Sequence, residues 1–352
     1  MKKSFWQSFR VGMLIVATIV GAGFASGREL VTFFGKFGYA SIPIAILCAF
    51  LLCFSLILFM TVGQIVRPKG MEDFHRAVFG KFSPVVDFII LFNYLIILST
   101  MFAGCDSLLE SYNLSQYPII SILTAVLVFI VIFRGIDTLM DVNAVLIPII
   151  LYMVLIIGIF SLTHPVPYKM NYSNNLGLMM FYVSIYVSMN IMLSTGVITT
   201  IKLPLKEQLR GAVTGSAVIG LFIALLTAAI MCAGINTFNS SMPVMEIASR
   251  MNMSFVAAII IWSGIFTTIL TAVYTMNSWT QSFIKNKALS ILSVLIVGLV
   301  ISRLGFKTIV DSFYPISGII GLFYIFAVFV FYLKVKKSKK MILSKNNLDN
   351  KK

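Results

Sequence analysis

Two short segments combine glycine with polar residues inside otherwise apolar stretches, and their chemistry is that of ligand binding. The first segment contains Gly21, Gly23 and Gly27 within seven residues. The second, residues 188–196, reads SMNIMLSTG. Because glycine lets the backbone leave helical geometry at little steric cost, each segment predicts an interrupted helix. The freed amides of such a break favour a carboxylate and the freed carbonyls favour a cation, although glycines also serve simply to let helices pack closely.

The composition indicates what kind of protein holds these segments. Of the 352 residues, 59% are hydrophobic and 11% are charged, with a mean hydropathy of +0.99, whereas soluble proteins carry about 25% charged residues. The apolar residues form runs long enough to cross a bilayer core of about 30 Å. We therefore exclude a soluble enzyme, a nucleic-acid binder and a disordered scaffold. The net charge of +15 includes a basic tail, residues 334–352, which predicts a contact with anionic lipid.

The apolar runs predict an all-α integral membrane protein with ten transmembrane helices. With the amino terminus inside, 21 basic residues fall on the cytoplasmic side and six on the outer side. This bias predicts that both termini are cytoplasmic and that the protein is multi-pass in the cell membrane. Residues 244–252 predict a short surface helix on the outer face. The ten predicted membrane helices are residues 9–35, 41–66, 84–110, 117–134, 142–162, 176–201, 211–235, 254–283, 287–303 and 308–334.

The ten helices divide into two groups of five, residues 9–162 and 176–334, followed by the tail from residue 335. Because five is odd, the second group enters the membrane from the opposite side, as an inverted repeat requires. The two glycine-containing segments fall in the first helix of each group. We therefore predict one transmembrane domain, built as a five-plus-five inverted repeat, in which helices one and six are broken and meet at a binding site.

The stretch Thr18–Glu29, TIVGAGFASGRE, resembles the first-helix signature of the YkvI-type amino-acid permeases of the amino acid–polyamine–organocation superfamily. The resemblance extends over the ten-helix layout and implies a LeuT-type fold, with the substrate between helices one and six. In such a site, amides of the first break hold a carboxylate, carbonyls of the second hold an amine, and a third-helix tyrosine lies nearby. The substrate-binding residues that the resemblance implies are Gly21, Ala22, Gly23, Tyr94, Ser188 and Asn190.

The resemblance also implies a candidate sodium site between the first and eighth helices. Gly264, Thr267 and Thr268 have the spacing i, i+3, i+4, which puts them on one helical face. Their oxygen atoms suit sodium, although threonines in membrane helices also bond to the preceding turn.

Proton coupling is the alternative to sodium. Some relatives place a lysine in the fifth helix for this purpose, and residues 142–162 contain none. Carboxylates within membrane helices are functional candidates because they are costly there. Examples in this sequence are Glu29, Asp106 and Glu110, although Asp106 and Glu110 lie near the outer end of the third helix, where an interfacial charge is the alternative.

A charge pair is predicted on the outer side of the binding site. Arg28 follows the first break, and Asp311 opens the tenth helix on the same side. In several relatives an arginine and an aspartate from these helices close the outer gate, so the resemblance implies that Arg28 and Asp311 pair in the closed state. The alternative is an ordinary interfacial arginine.

Cysteine and histidine usage predicts neither a metal centre nor a catalytic site. The cysteines lie in apolar runs at no metal-ligand spacing, and the two histidines are predicted to lie in loops and to form no cluster. These residues are Cys48, Cys53, Cys105, Cys232, His75 and His164.

The sequence therefore predicts a secondary active transporter of a small amino acid or related zwitterion, with Na⁺ as the candidate coupling ion and no other cofactor. It contains no ATP-binding G-x-x-x-x-G-K-[ST] signature and no pairing of a nucleophile with a base, so an enzyme is not expected. The alternative is a membrane solute sensor on the same scaffold, as germinant-receptor subunits of the superfamily illustrate. The sequence specifies neither the substrate nor the oligomeric state.

Overall fold

The computed structural model describes residues 2–108, 118–167, 172–173, 175–304 and 306–349, and every regular element in these ranges is a helix. Seven of the described helices are long and apolar enough to cross a membrane, and two shorter apolar helices accompany them. Together with the interrupted first span, they account for the ten predicted membrane helices. The chain is therefore a multi-pass helical membrane protein.

The helix bounds agree with the predicted spans to within a few residues, except at the two ends of the chain. The first helix begins at Lys2, and the last continues to Asp349, so that much of the basic tail is helical. The α-helices are α1 Lys2–Ile19, α2 Ala22–Ala25, α3 Arg28–Phe33, α4 Ser41–Val66, α5 Met71–Phe79, α6 Ser83–Ser107, α7 Ile119–Arg134, α8 Ile136–Thr163, α9 Leu176–Ile198, α10 Leu205–Cys232, α11 Ile235–Asn239, α12 Pro243–Ser249, α13 Ser254–Thr280, α14 Lys287–Ile301 and α15 Phe306–Asp349.

The first membrane span is interrupted twice, as the glycines predict. α1 ends at Ile19, a single turn forms α2, and α3 begins at Arg28. Gly27 has a φ of 84°, a left-handed conformation that side chains other than glycine rarely adopt. The amide of Gly21 donates to the carbonyl of Ile19 (2.9 Å) instead of to Ala17 one full turn earlier. The break therefore leaves backbone groups of α1 without their usual partners.

The prediction of a broken sixth helix is wrong, because α9 runs without interruption over the whole segment 188–196. Its polar side chains bond back to carbonyls one turn earlier: Asn190 Nδ2 to Tyr186 O (2.9 Å), Ser194 Oγ to Asn190 O (2.7 Å) and Thr195 Oγ1 to Ile191 O (2.8 Å). These side chains are therefore satisfied without opening the helix. Gly196 packs against Thr275 of α13, so this glycine serves close helix packing.

The long helices pack as two groups of four. α1, α10, α4 and α9 form a ring in which each helix contacts the next, here called the bundle. α6, α7, α13 and α14 contact one another and form the second group, here called the scaffold. Each group takes two helices from each predicted half of the chain, as a five-plus-five inverted repeat requires. Because α2 contacts α13, the break in the first span lies between the bundle and the scaffold.

Three short helices, α5, α11 and α12, lie outside the membrane spans in the described residues. α12 confirms a helix at the predicted residues 244–252, with slightly different bounds, and its position on the outer face stays a prediction. α5, between α4 and α6, was not predicted, and it places His75 in a helix instead of in a loop. The remaining two long helices flank the groups: α8 packs against α1 and α10, and α15 packs against α9. The repeat boundaries at residues 9–162 and 176–334 and the orientation of the termini stay predictions.

Candidate functional site

The break in the first span is closely packed on two sides, and this packing explains its glycines. A Cβ atom added to Gly21 would lie 2.6 Å from Thr268 Oγ1 of α13. A Cβ atom on Gly23 would collide with the side chain of Glu29, which folds back against the break from α3. The backbone of Ala22 forms the start of α2 between these glycines. The predicted binding glycines are therefore at the centre of the molecule, beside a threonine and a carboxylate.

The three predicted sodium ligands share one face of α13, and this face meets the end of α1. Thr267 Oγ1 donates to Gly264 O (2.9 Å), and Thr268 Oγ1 lies 3.1 Å from Gly264 O and 3.5 Å from Ala17 O. A Cβ atom added to Gly264 would lie 3.2 Å from the carbonyl oxygen of Val20. The Thr268 hydroxyl and the carbonyls of Ala17 and Val20 thus lie close to one another at the break, and hard oxygen atoms of this kind suit a small cation.

Tyr94 reaches the sixth span at a turn that follows residues 188–190. Its hydroxyl donates to Leu193 O at 2.5 Å and lies 3.3 Å from Met192 O. Ser188 Oγ donates to Ile185 O (3.0 Å) and to Gly318 O of α15 (2.5 Å). Ser188 and Asn190 therefore bond to their own helix and, for Ser188, to α15. The expectation that the carbonyls of residues 188–190 are free to bind an amine is wrong, because α9 is intact there.

A different polar contact joins the first and sixth spans. Thr18 Oγ1 lies 2.9 Å from Ser194 Oγ, and both side chains are buried. Thr18 occupies the last turn of α1, one residue after Ala17. Sequence reasoning missed this pair because hydroxyl residues are frequent in α9 and nothing in their spacing distinguishes Ser194 from its neighbours.

On the opposite side of α9, two glycines of α15 allow a backbone-to-backbone approach. A Cβ atom on Gly321 would lie 2.6 Å from Ser188 O, and one on Gly318 would collide with Ile185 O. α15 and α9 are therefore in direct contact along this glycine face, where Ser188 Oγ also bonds to Gly318 O.

Glu29 is a buried carboxylate beside the break, with only 4% of its surface exposed. Its Oε2 atom has no hydrogen-bond partner among the residues that the structure describes. Tyr186 of α9 packs on Phe33, which lies one turn after Glu29 in α3. Asp106, the second carboxylate considered for coupling, instead accepts hydrogen bonds from Ser121 N (3.2 Å) and Ser121 Oγ (2.9 Å) at the start of α7. Glu110, the third, lies outside the described residues.

Arg28 and Asp311 form a two-pronged ion pair, here called the arginine closure. Arg28 Nε donates to Asp311 Oδ1 (3.0 Å), and Arg28 Nη2 donates to Asp311 Oδ2 (2.6 Å). Thr32 Oγ1 also donates to Asp311 Oδ1 (3.0 Å), and the guanidinium donates to Ser240 O (3.1 Å). The structure thus brings the predicted pair together and ties α3 to α15. Its action as a gate stays a prediction.

A second polar cluster, here called the histidine closure, lies on the side that the charge distribution predicts to be cytoplasmic. His75 of α5 is fully buried, with Nδ1 2.5 Å from Asp87 Oδ1 and Nε2 2.7 Å from the hydroxyl of Tyr324. The cluster ties α5 to α6 and α15. The prediction that His75 lies in a loop is wrong. The helical pattern of Met71–Phe79 could have revealed the helix, but its partners are distant in sequence.

The remaining metal-binding side chains are dispersed. Within the described ranges, no three His, Cys, Asp or Glu side chains lie close enough to hold a metal ion together. The four cysteines are free thiols, in agreement with their apolar surroundings.

The first span is broken between the bundle and the scaffold, and each of these groups contains two helices from each half of the chain. This arrangement defines the five-plus-five LeuT-type fold. Solved structures of this shape include three membrane transporters. A manganese transporter from Eremococcus coleocola has a TM-score of 0.64 at 14% identity, covering 93% of this chain and 79% of that one. MhsT in complex with L-phenylalanine has a TM-score of 0.61 at 13% identity, with coverages of 86% and 79%. Mhp1, a nucleobase-cation-symport-1 family transporter, has a TM-score of 0.56 at 15% identity, with coverages of 87% and 74%.

Among proteins compared by sequence, the chain is similar to the uncharacterized membrane protein YkvI of Bacillus subtilis (strain 168). The two are 23% identical over 339 residues, which cover 92% of this chain and 96% of that protein. No family model matches the chain. The three transporters of the same fold differ in what their descriptions name as bound or carried, so the fold does not by itself select a substrate.

Proposed function

We propose that the protein is a secondary active transporter of a small amino acid or related zwitterion, which binds at the break of the first span and crosses by alternating access. The observation that carries this proposal is the break itself, where freed backbone groups lie between the bundle and the scaffold. Irregular backbone at membrane depth is tolerated where it is buried in protein or lines a polar cavity, and such breaks form the substrate sites of inverted-repeat transporters.

Since the sixth helix is intact, the backbone groups proposed to bind the substrate come from the first span alone. Because the carbonyls of α9 are engaged within the helix, the backbone around Gly21, Ala22 and Gly23 supplies the freed polar groups. Thr18, near the end of α1, contacts Ser194 of α9, and Tyr94 of α6 bonds to the neighbouring Leu193. That MhsT was solved with L-phenylalanine supports an amino acid as the first substrate class to test. Movement of the bundle against the scaffold would then expose the break to either side in turn.

Sodium is the proposed coupling ion. Thr267 and Thr268 with the carbonyls of Ala17, Val20 and Gly264 provide neutral oxygen atoms on two elements that belong to different groups. An ion held there would fix α1 against α13 and so couple ion binding to the relative position of the bundle and the scaffold. The termini face the cytoplasm in this proposal, as the basic residues predict.

The proposal is tested by uptake of radiolabelled amino acids into liposomes that contain the purified protein, with and without an inward sodium gradient. We expect uptake that the gradient stimulates. In Thr268→Val the sodium concentration for half-maximal uptake should rise about tenfold or more, since the hydroxyl that faces Ala17 O is lost. Thr271→Val is the matched control, because Thr271 is buried one turn further along α13 and bonds only within its helix, to Thr267 O.

Different failures have different meanings. Uptake that a proton gradient drives and sodium does not affect would contradict sodium coupling while supporting transport. Saturable binding without flux under any gradient would contradict transport and favour a solute sensor on the same scaffold.

A further inference from the structure

Glu29 lacks a counter-charge in the part of the chain that the structure describes. The cation nearest in sequence is Arg28, whose guanidinium is held by Asp311 and by Ser240 O. Oε2 of Glu29 has no hydrogen-bond donor, and the side chain is 96% buried. Removing a carboxylate from water costs several kcal/mol unless a cation, a set of donors or a bound proton compensates. Glu29 therefore needs either a proton or a cationic partner at this position.

The surroundings of Glu29 favour an organic cation over a metal ion. Tyr186 packs edge-to-face on Phe33, the last residue of α3, and on Phe34, which follows it, with ring centroids 5.2 and 5.1 Å apart. Phe33 lies one helical turn after Glu29, on the same face of α3. Aromatic rings beside an anion suit an ammonium group, which interacts with ring faces and with the charge together. A manganese-type site would need further carboxylate, histidine or thiol ligands. In the described residues no three such side chains lie close enough together to hold a metal ion.

The position of the Glu29 carboxylate also determines which charged group of a ligand can lie at the break. Glu29 packs directly against Gly23, at the place where the sequence predicts the carboxylate of a substrate. Two carboxylates side by side at this depth would repel each other strongly. A ligand therefore gains most by presenting a positive charge to this end of the break.

We propose that Glu29 binds the cationic nitrogen of the transported molecule, so that the site requires an amine and does not require a carboxylate. This inference rests on the proposed binding site at the first-span break, but not on transport itself. It defines the substrate class as primary amines, of which amino acids are one kind.

The test is ligand-dependent thermal stabilisation of the purified protein in detergent with sets of three probes that share one side chain. The sets are alanine, ethylamine and propionate; leucine, 3-methylbutylamine and 4-methylpentanoate; and phenylalanine, phenethylamine and 3-phenylpropionate. We expect the amino acid and the amine of at least one set to raise the unfolding midpoint, and the acid of that set to leave it unchanged.

Glu29→Gln should weaken binding of the stabilising amine at least about thirtyfold, because it removes one partner of a buried charge pair. The replacement preserves side-chain volume and removes an uncompensated charge, so the variant should remain folded. Glu29→Asp should retain part of the affinity. Glu207→Gln is the matched control, since Glu207 lies at the start of α10 and bonds to Ser4 Oγ (2.9 Å), away from the break.

Several results would overturn the inference. These are stabilisation by the acids equal to that by the amines, unchanged amine affinity in Glu29→Gln, or no stabilisation by any probe. If Glu29→Gln kept amine affinity and lost only the pH dependence of uptake, Glu29 would carry a proton instead, which also overturns the inference. Amine binding without any uptake would support the inference while contradicting the proposed transport.

Discussion

The arginine closure and the histidine closure join the same helix, α15, to other helices by different chemistry. Arg28 and Asp311 are partly exposed, with 11% and 33% of their side-chain surfaces accessible. His75 is fully buried and has one partner on each ring nitrogen. Partly exposed ion pairs contribute little net stability and separate easily. A buried polar group whose partner is removed, by contrast, destabilises the protein by its full desolvation cost. The comparison indicates that the arginine closure is the easier to open.

The largest expected effect is that of His75→Ala. The substitution leaves a cavity and removes the partners of Asp87 Oδ1 and of the Tyr324 hydroxyl, so we expect a loss of about 3 kcal/mol or more in stability. Denaturant or thermal unfolding of the purified protein measures it. His164→Ala is the control, because His164 is exposed at the end of α8 and should change stability little. Equal effects of the two substitutions would contradict a special role for the buried cluster.

An intermediate effect is expected at the arginine closure. Arg28→Ala and Asp311→Ala should each reduce uptake, and the double variant should reduce it by less than the product of the two single reductions. The coupling energy should be about 1 kcal/mol, as for partly exposed pairs. Arg28→Lys keeps the charge but loses the two-pronged geometry, so it should fall between wild type and Arg28→Ala. If the two substitutions reduced uptake independently of each other, the prediction that this ion pair acts as a gate would be contradicted.

The smallest effect is expected for Thr32→Val, which removes one donor to Asp311 Oδ1 and leaves the ion pair. Stability should fall by about 0.5–1 kcal/mol. Thr61→Val is the matched control: Thr61 lies in α4, is half-buried, and bonds only to Ile57 O (2.7 Å). If Thr32→Val were as harmful to uptake as Arg28→Ala, the hydroxyl and not the ion pair would hold this side closed.

The sequence predicts the first-span break well, because three glycines in seven residues leave few alternatives to irregular backbone. The same reasoning fails at α9, where hydroxyl and amide side chains bond to their own helix and the final glycine serves packing. Local composition does not distinguish a helix that opens from one whose polar groups are satisfied internally. That distinction depends on neighbouring helices, which approach α9 from distant parts of the chain.

Contacts between residues far apart in sequence are predictable only where information other than residue spacing, such as a family resemblance, indicates them. The Arg28–Asp311 contact spans 283 positions and was expected because the sequence resembles a known family. The His75–Tyr324 contact spans 249 positions, and no comparable guide existed for it. Glu29 could be named as a membrane carboxylate from its position alone, but its burial against Gly23 and its missing partner are visible only in three dimensions.

The glycine face of α15 has a mechanical consequence. Asp311 and Tyr324 are 13 residues apart, which is about 20 Å along a helix, and Gly318 and Gly321 touch the backbone of α9 between them. A rod supported near its middle swings like a seesaw, so that an inward tilt of one end carries the other end outward. An outward tilt of a released end would then press the other closure together, so that opening on one side of the membrane favours closing on the other.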